Sequence, residues 1–349
     1  MSVRSSIVVT GGAGYIGSTL VPMLLERGHD VTVVDRFYFG EEPLEAAAAK
    51  YKDALKLVRA DVRRVDPRVF EGAYGVVDLA GISNDPACEL DAELTRTVNL
   101  EGGRRTHRLA HAAGAERIVF ASSCSVYGHG EGLQLHEGSP LHPVSLYAKC
   151  KADAESWLLD LGRTTQVAVT ALRFATVFGL SRRMRFDLAV NVMTKNAYTK
   201  QRITVDGGGK QWRPFVHVRD VAETICRTLE APREKIAGAV LNVGNTENNV
   251  RILNLAYRVR DAVVGTHLDI GTGDPDLRDY NVNFEKIETV LGWKPTHSID
   301  DGIGEVLAAL KQGDLDPDDR RCYTLAQYRF LVDVERTFRA MQIEGHVLG

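Results

Sequence analysis

The segment SLYAKCKADAESWLLDL, residues 145–161, carries a tyrosine and a lysine whose spacing suits proton transfer. Tyr147 and Lys151 are four residues apart, so the helical periodicity of the segment places them on one face of a helix. A phenol with a pKa of about 10 is a poor base at neutral pH, but a neighbouring ammonium group favours its phenolate. Such a pair can take a proton from a sugar or alcohol hydroxyl while a hydride leaves the same carbon. The spacing also occurs on ordinary surface helices, so it needs support from other residues.

A glycine-rich loop, TGGAGYIG at residues 10–17, follows the first apolar run of the chain and opens a helical pattern. It fits G-x-x-G-x-x-G, with Gly11, Gly14 and Gly17 as the three glycines. Glycines there permit a tight strand-to-helix turn and let backbone N–H groups approach a pyrophosphate. Because of its place between a predicted strand and a predicted helix, we interpret the loop as a dinucleotide-binding turn rather than a structural turn alone.

An acidic residue, Asp35, ends the second predicted strand 18 residues after Gly17. A carboxylate near this position accepts a hydrogen bond from a ribose 2′-hydroxyl and repels a 2′-phosphate. The sequence therefore favours NAD over NADP, although the adjacent Arg36 could weaken that preference.

The segment ASSCSVYG, residues 121–128, places several hydroxyl groups and one thiol directly after the apolar run RIVF. Cys124 would be a nucleophile only if a base or a cation activated its thiol, and no histidine within the segment does so. Free cysteine is among the most buried residue types. We therefore interpret Cys124 as a small buried residue at the end of a strand.

Metal and disulfide patterns are weak. The five cysteines are scattered without a CxxC pair, which favours neither a disulfide framework nor a zinc site. His107 and His111 have the spacing of a metal-binding pair on a helix, but a third ligand is missing. We interpret these histidines as part of a polar helix face and expect no metal.

Composition narrows the class of protein. The net charge of −3 comes from 43 basic and 46 acidic residues that are spread along the chain, which gives no footprint for nucleic acid or an anionic membrane. Basic residues bunch only at Arg182, Arg183 and Arg185, a cluster that suits a small anionic ligand. The N-terminal residues lack a secretory segment, and no apolar run approaches the ~20 residues of a membrane span. A cytoplasmic location is the expectation.

Short apolar runs alternate with amphipathic stretches through the first half of the chain, which predicts an α/β Rossmann fold with a doubly wound parallel sheet. The predicted strands are residues 7–10, 30–35, 55–61, 75–81, 117–123 and 167–174. After Gly179 the pattern loosens, and a strand–helix unit then returns. We expect two domains that interleave in sequence. The dinucleotide-binding domain comprises residues 1–179 and about 215–245, and a smaller α/β substrate domain comprises about 180–214 and 246–349.

Taken together and in this order, these motifs resemble the extended short-chain dehydrogenase/reductase family, and in particular its nucleotide-sugar epimerase/dehydratase branch. The resemblance extends over most of the chain through LRFATVFG (172–179), WRPFVHVRD (212–220), LNVGN (241–245) and LGWKP (291–295). It implies NAD as the cofactor, a nucleotide sugar as the substrate and a homodimer as the assembly, with no nucleic-acid or membrane partner.

The resemblance also implies the residues of the site. Ser123 would hydrogen-bond the substrate hydroxyl, Tyr147 would be the acid and base, and Lys151 would bind the nicotinamide ribose and lower the pKa of the tyrosine. The implied cofactor-binding residues are Gly11, Gly14, Tyr15, Ile16, Gly17, Asp35, Arg36, Asp61, Val62, Leu79, Ala80, Gly81, Asn99, Tyr147 and Lys151. The implied substrate-binding residues are Ser83, Ser123, Cys124, Ser125, Tyr147, Thr176, Asn191, Arg213 and Arg278.

Three features depart from the family pattern. Asp78 stands where relatives usually carry histidine, and Thr176 stands where they often carry asparagine. Dehydratases place an Asp–Glu pair directly after the Ser123 position, whereas this chain has Cys124 and Ser125. Without that acid to protonate a leaving hydroxyl, the sequence argues against a 4,6-dehydratase.

The expectation is an NAD-dependent nucleotide-sugar epimerase that inverts C4 of an NDP-hexose through a transient 4-keto intermediate. Two alternatives stay open: a 4-ketoreductase with exchangeable cofactor, and a non-catalytic NAD-binding regulatory protein.

Overall fold

The apolar runs of the first half of the chain form one parallel sheet in the computed structural model, which describes residues 4–273 and 279–342. The strands of the described residues are β1 Ser6–Thr10, β2 Asp30–Asp35, β3 Leu55–Arg59, β4 Gly75–Asp78, β5 Arg117–Ser123, β6 His129–Leu135, β7 Ala168–Phe174, β8 Thr176–Phe178, β9 Arg202–Val205, β10 Trp212–His217, β11 Ala239–Val243, β12 Asn249–Arg251, β13 His267–Ile270 and β14 Asp279–Val282.

Helices connect these strands and cover them. They are α1 Gly17–Glu26, α2 Glu42–Lys50, α3 Asp85–Cys88, α4 Ala92–Arg96, α5 Gly103–Ala112, α6 Leu146–Thr164, α7 Ala189–Lys200, α8 Val218–Glu230, α9 Arg233–Ile236, α10 Ile252–Ala262, α11 Glu285–Leu291, α12 Ile299–Gln312 and α13 Thr324–Met341. A wide π-helical turn, Thr97–Gly102, joins α4 to α5.

The seven-stranded sheet has the order β11-β7-β5-β4-β1-β2-β3, and all its pairs are parallel. The order reverses at β1, which lies between β4 and β2. In doubly wound sheets, ligands bind at the carboxyl ends of the strands beside such a reversal. The predicted α/β Rossmann class is confirmed, and the sheet points to the carboxyl ends of β1 and β4 as the site.

Both faces of the large sheet are buried, as the continuous apolar runs predicted. Ile7 and Val9 of β1 belong to the core cluster under α1 and α8, whereas Val8 between them belongs to the cluster under α6. Successive side chains of a strand point to opposite faces, so only a sheet covered on both sides can bury all three.

The strand–helix unit that returns near residue 215 divides between two sheets. Strand β11 pairs with β7 at the edge of the large sheet, and α8 packs on that sheet through apolar side chains such as Ile225. Strand β10 instead pairs with β8 and β12 in a separate three-stranded sheet. An apolar core that includes Phe215, Leu255 and Ile303 packs this small sheet against α7, α10 and α12.

Candidate functional site

The glycine loop turns sharply from β1 into α1 beside the segment that follows β4. Gly11 has a φ of +71°, and a Cβ there would lie 2.8 Å from the backbone nitrogen of Ala80. At Gly17 a Cβ would lie 2.5 Å from the Cα of Gly12. Only glycine tolerates such approaches. The loop therefore brings the N-terminus of α1 to the reversal of the sheet, where backbone N–H groups can bind a diphosphate.

Two carboxylates stand at the ends of the next strands. Asp35 ends β2 and accepts hydrogen bonds from the amides of Ala13 at 3.0 Å and Phe37 at 2.8 Å. Burial raises the pKa of Asp35, and these amide bonds act against the rise. Asp61 follows β3 and pairs with Arg36 at 2.7 Å and Arg63 at 2.6 Å. Arg36 is thus engaged by a carboxylate, which reduces its availability for a 2′-phosphate.

Helix α6 carries both residues of the proton-transfer pair in its first two turns. The hydroxyl of Ser145 accepts a hydrogen bond from the amide of Ala148 at 3.2 Å, which caps the helix one residue before its first turn. Tyr147 lies in that turn and Lys151 lies one turn later. The Lys151 ammonium donates a hydrogen bond to the carbonyl oxygen of Ala121 at 2.6 Å and lies 5.9 Å from the centroid of the Tyr147 ring.

Ser123 completes the group from the end of β5. Its hydroxyl oxygen accepts hydrogen bonds from the Ser125 amide at 3.2 Å and the Ser125 hydroxyl at 2.9 Å. Burial raises the pKa of the Tyr147 phenol above its usual value, and the nearby hydroxyl of Ser123 acts against the rise. Ser123 and Tyr147 are therefore within reach of one substrate hydroxyl.

Lys151 and Tyr147 are both affected by burial. Burial lowers the pKa of Lys151, and the charge of Asp78 acts in the opposite direction. In the chain alone, burial raises the pKa of the Tyr147 phenol, and the lowering expected from Lys151 stays a prediction.

Asp78, the last residue of β4, forms a buried pair with His107. Its carboxylate accepts a hydrogen bond from the Thr10 hydroxyl at 2.6 Å and lies 2.9 Å from Nε2 of His107. The interpretation of His107 as part of a polar helix face is wrong: its side chain is fully buried between Phe120 and Trp157. The pair lowers the pKa of Asp78 against the opposing effect of burial.

Asn99 holds the backbone of the segment after β4 by two hydrogen bonds. Its side-chain oxygen accepts a hydrogen bond from the amide of Ile82 at 2.8 Å, and its side-chain nitrogen donates to the carbonyl oxygen of Ile82 at 2.9 Å. Asn99 sits in the π-helical turn before α5 and does not line the cavity. In this structure it fixes the segment after β4 and does not face a ligand directly.

A buried polar network lies beneath the segment ASSCSVYG. Glu155 of α6 pairs with Arg173 of β7 through three hydrogen bonds of 2.5 to 3.2 Å and accepts another from the Ser122 hydroxyl at 2.6 Å. Arg173 also donates to the hydroxyl of Tyr127 at 2.9 Å. Through Ser122 and Tyr127, this network links β5 and the turn after it to α6 and β7.

Cys124 belongs to this buried layer and not to the cavity. Its thiol donates a hydrogen bond to the carbonyl oxygen of Arg173 at 3.2 Å, and burial raises its pKa far above the usual value for a thiol. The predicted contact between Cys124 and the substrate is therefore wrong. The expectation of a small buried residue at a strand end describes its surroundings correctly.

The segment after β8 is folded over the start of α1. The Tyr15 hydroxyl donates to the carbonyl oxygen of Gly179 at 2.6 Å. Asn191 accepts from the Gly179 amide at 3.0 Å and donates to the Tyr15 hydroxyl and the Arg185 carbonyl oxygen at 3.1 and 3.0 Å. Asn191 is fully buried and does not line the cavity, so the expected diphosphate contact is not present in this structure.

One cavity of about 890 Å³ joins these features. It contains most of the cofactor and substrate residues expected from the sequence. They are Gly11, Gly14, Tyr15, Ile16, Gly17, Asp35, Arg36, Asp61, Val62, Leu79, Ala80, Gly81, Ser83, Ser123, Ser125, Tyr147, Lys151, Thr176 and Arg213. Arg278 lies outside the described residues.

The span from residue 7 to residue 244, more than half of the chain, matches the model of the NAD dependent epimerase/dehydratase family. The chain belongs to this family. UDP-glucuronic acid decarboxylase 1 of Danio rerio is 28% identical over 313 residues, which cover 87% of this chain and 72% of the relative. UDP-glucose 4-epimerase of Lactobacillus helveticus is 27% identical over 329 residues, which cover 85% and 94%.

A solved structure with the same fold contains NAD. MoeE5 in complex with UDP-glucuronic acid and NAD has a TM-score of 0.78 to this chain at 25% identity, covering 88% of this chain and 99% of that one. The family is NAD dependent and this neighbour was solved with NAD bound, so NAD is the cofactor of this protein. The residues of this chain fit it, because the glycines allow the tight turn that brings the start of α1 to the end of β1, and Asp35 stands at the end of β2.

Several cavity residues had little signal in the sequence. Arg183, Arg185 and Asp187 come from the segment after β8, and Thr324 and Tyr328 come from α13. The basic cluster at residues 182–185 was the single hint for the first group. No local pattern connects α13 with a site that is built almost entirely from the first 215 residues.

No helix among the described residues is both long enough and apolar enough to cross a bilayer.

Proposed function

We propose that the protein is an NAD-dependent nucleotide-sugar epimerase that inverts C4 of an NDP-hexose through a transient 4-keto intermediate. The observation that carries the proposal is the convergence of Ser123, Tyr147 and Lys151 in the cavity that contains the glycine loop. This arrangement suits oxidation of a hydroxyl and return of the same hydride.

Each residue has a role that its surroundings support. When bound, NAD supplies the group that accepts the hydride from C4 of the sugar. Tyr147 takes the proton of the C4 hydroxyl as the hydride leaves, and Ser123 holds that hydroxyl by a hydrogen bond. Tyr147 must first lose its own proton, and the positive charges of Lys151 and the oxidised nicotinamide favour that loss. After the keto sugar turns its other face to the hydride, Tyr147 returns the proton to the C4 oxygen.

The residues around Ser123 support inversion over elimination of water. Cys124 is buried and engaged by the Arg173 carbonyl oxygen, and Ser125 donates its hydroxyl to Ser123. Neither residue can protonate a leaving hydroxyl as a carboxylic acid would. On the sugar side of the cavity, Ser83, Thr176 and Arg213 provide polar groups that we propose contact the nucleotide sugar.

The test is conversion without added cofactor. The purified protein is incubated with UDP-glucose or UDP-glucuronic acid, each deuterated at C4, and products are followed by mass spectrometry and NMR. Inversion at C4 with the deuterium retained is the expected result, because the hydride returns to its own carbon. Turnover that requires added NAD or NADP and gives the 4-keto sugar together with NADH or NADPH would establish the ketoreductase, running in reverse, instead. Loss of CO₂ would establish a decarboxylase, and no turnover of any nucleotide sugar would favour the non-catalytic protein.

Two tyrosine variants separate catalysis from folding. Tyr147→Phe removes the acid and base, so kcat should fall by about 10² to 10⁴ while NAD binding is unchanged. Tyr127→Phe, the matched control, removes a hydroxyl of the buried network and should lower the thermal midpoint with little effect on kcat. Wild-type turnover by Tyr147→Phe would refute the mechanism. A homodimer and a cytoplasmic location remain predictions.

A further inference from the structure

The C-terminal helix α13 packs over the cofactor half of the cavity, although it lies beyond the span 7–244 that matches the family. Gln327 donates a hydrogen bond from its side chain to the carbonyl oxygen of Tyr38 at 2.7 Å. The ring of Tyr328 meets the rings of Tyr38 and Phe39 edge to face, at 5.9 and 5.8 Å between centroids. Helix α13 therefore contacts the loop after Asp35, where the adenosine ribose is expected.

Arg183 lies in the same corner of the cavity. The residue is 5% exposed, and its guanidinium lies 3.6 Å from the centroid of the Phe39 ring. One nitrogen donates to the hydroxyl of Thr324 at 3.3 Å, and Nε has no hydrogen-bond partner in the described structure. Among the described residues, no carboxylate forms an ion pair with Arg183 within 4.0 Å.

A buried guanidinium without a paired carboxylate calls for an anion from outside the chain. Burial and the charge of Arg185 lower the pKa of Arg183 to about 10 against the charge of Asp187, which acts from beyond ion-pair distance, so the group still carries its charge at neutral pH. Burying a charge is costly unless it is paired. The neighbouring Arg185 differs in this respect, because Asp187 binds it through two hydrogen bonds of 2.9 and 3.0 Å.

The position of Arg183 selects the anion. Its backbone amide donates to the hydroxyl of Ser18 at 3.3 Å, and Ser18 lies in the first turn of α1, where a cofactor diphosphate binds. Its charge also acts on Asp35. The segment is therefore next to the adenosine and diphosphate end of the cofactor. A planar guanidinium binds phosphate oxygens through two parallel hydrogen bonds.

We propose that Arg183 binds the diphosphate of NAD, and that α13 holds Arg183 and closes the adenosine half of the site so that NAD stays bound between turnovers. Retention is what a reaction that returns its own hydride needs, and in this the inference rests on the proposed function. Binding of the diphosphate by Arg183 does not depend on which sugar reaction occurs.

The first test compares ligands that contain or lack the diphosphate. Arg183→Gln should weaken the binding of NAD and of ADP by about 10- to 100-fold in calorimetry, whereas adenosine should bind as to the wild type. UDP binding should not change. Arg183→Lys should recover part of the loss. If Arg183→Gln weakened UDP binding and spared NAD and ADP, or left all of them unchanged, the assignment would be wrong.

The second test addresses retention. Tyr328→Ala should raise the rate at which NAD leaves the holoenzyme, measured as NAD lost during repeated gel filtration and detected by mass spectrometry. The matched control is Arg336→Gln, an exposed position further along α13, which should retain NAD like the wild type. Circular dichroism confirms that each variant is folded. Equal retention by Tyr328→Ala and the wild type would overturn the closure. Neither test measures turnover, so failure of the epimerase proposal would be seen separately.

Discussion

Removal of the Glu155 charge should destabilise the protein far more than its one-atom change suggests. Arg173 and Glu155 are only 4% and 2% exposed, and three of the hydrogen bonds of the guanidinium go to this carboxylate. Glu155→Gln keeps the shape of the side chain but leaves the Arg173 charge buried without its anion. Loss of one partner of a buried ion pair typically costs about 3–5 kcal/mol.

The cost converts into a shift of the thermal midpoint. For a chain of 349 residues, the entropy of unfolding is roughly 0.7 kcal/mol/K, so 3–5 kcal/mol corresponds to a decrease of about 4–7 °C. The assay is differential scanning calorimetry of the wild type and the variant at pH 7. The matched control is Arg163→Gln on the same helix, because Arg163 and Asp160 form a pair that is 76% and 65% exposed. That control should shift the midpoint by less than about 1.5 °C.

A double variant checks the cause. Glu155→Leu combined with Arg173→Met removes both charges, so it should cost less than the sum of the two single changes. It should still cost about 1–2 kcal/mol, because the hydroxyls of Ser122 and Tyr127 lose partners. A shift of the thermal midpoint by Glu155→Gln as small as that of the exposed control would refute the reasoning. So would a cost of the double variant equal to the summed costs of Glu155→Leu and Arg173→Met.

Three further changes test the rest of the site. Gly11→Ala should weaken NAD binding at least about tenfold, since its Cβ would meet the backbone of Ala80 and its φ is +71°. Gly28→Ala is the control in calorimetry with NAD, since φ there is also positive but no atom lies within 4 Å. Asp78→Asn should lower the thermal midpoint at pH 7, and a titration of midpoint against pH checks the sign. The folded pKa of Asp78 is lowered, so its contribution is complete above the unfolded value of about 3.9 and lost as pH falls through the folded value. The difference from wild type should therefore shrink at acid pH, and a constant difference would contradict it. Cys124→Ala should keep kcat within about twofold in the conversion assay, because the thiol is buried and bonded to a carbonyl oxygen. A hundredfold loss of kcat would show that Cys124 takes part in the reaction.

The sequence predicted the parts of the fold that depend on neighbouring residues. Continuous apolar runs identified the strands of the large sheet, and residues 30–35 and 117–123 have the predicted bounds. The glycine loop and the Tyr147–Lys151 pair were also readable, because turn geometry and helix spacing are local properties. These patterns were enough to indicate an α/β dinucleotide-binding fold and a hydride-transfer site.

The structure decided what depends on residues far apart in the chain. His107 is buried because Asp78, on a strand outside its own helix, provides its partner. The side chain of Asn191 is hydrogen-bonded to Gly179 and Tyr15, and the spacing of residues in its own helix does not predict these bonds.

The sequence by itself determined which residues could take part in hydride transfer, because their types and local spacing set that chemistry. Only the tertiary structure decided which of them face the cavity. At the end of β5, Ser123 turns toward Tyr147 while Cys124 turns into the core, and this follows from the packing of β7 and α6 against the strand. The return of α13 to Arg183 is likewise set by the summed packing of distant segments, which no short stretch of sequence contains.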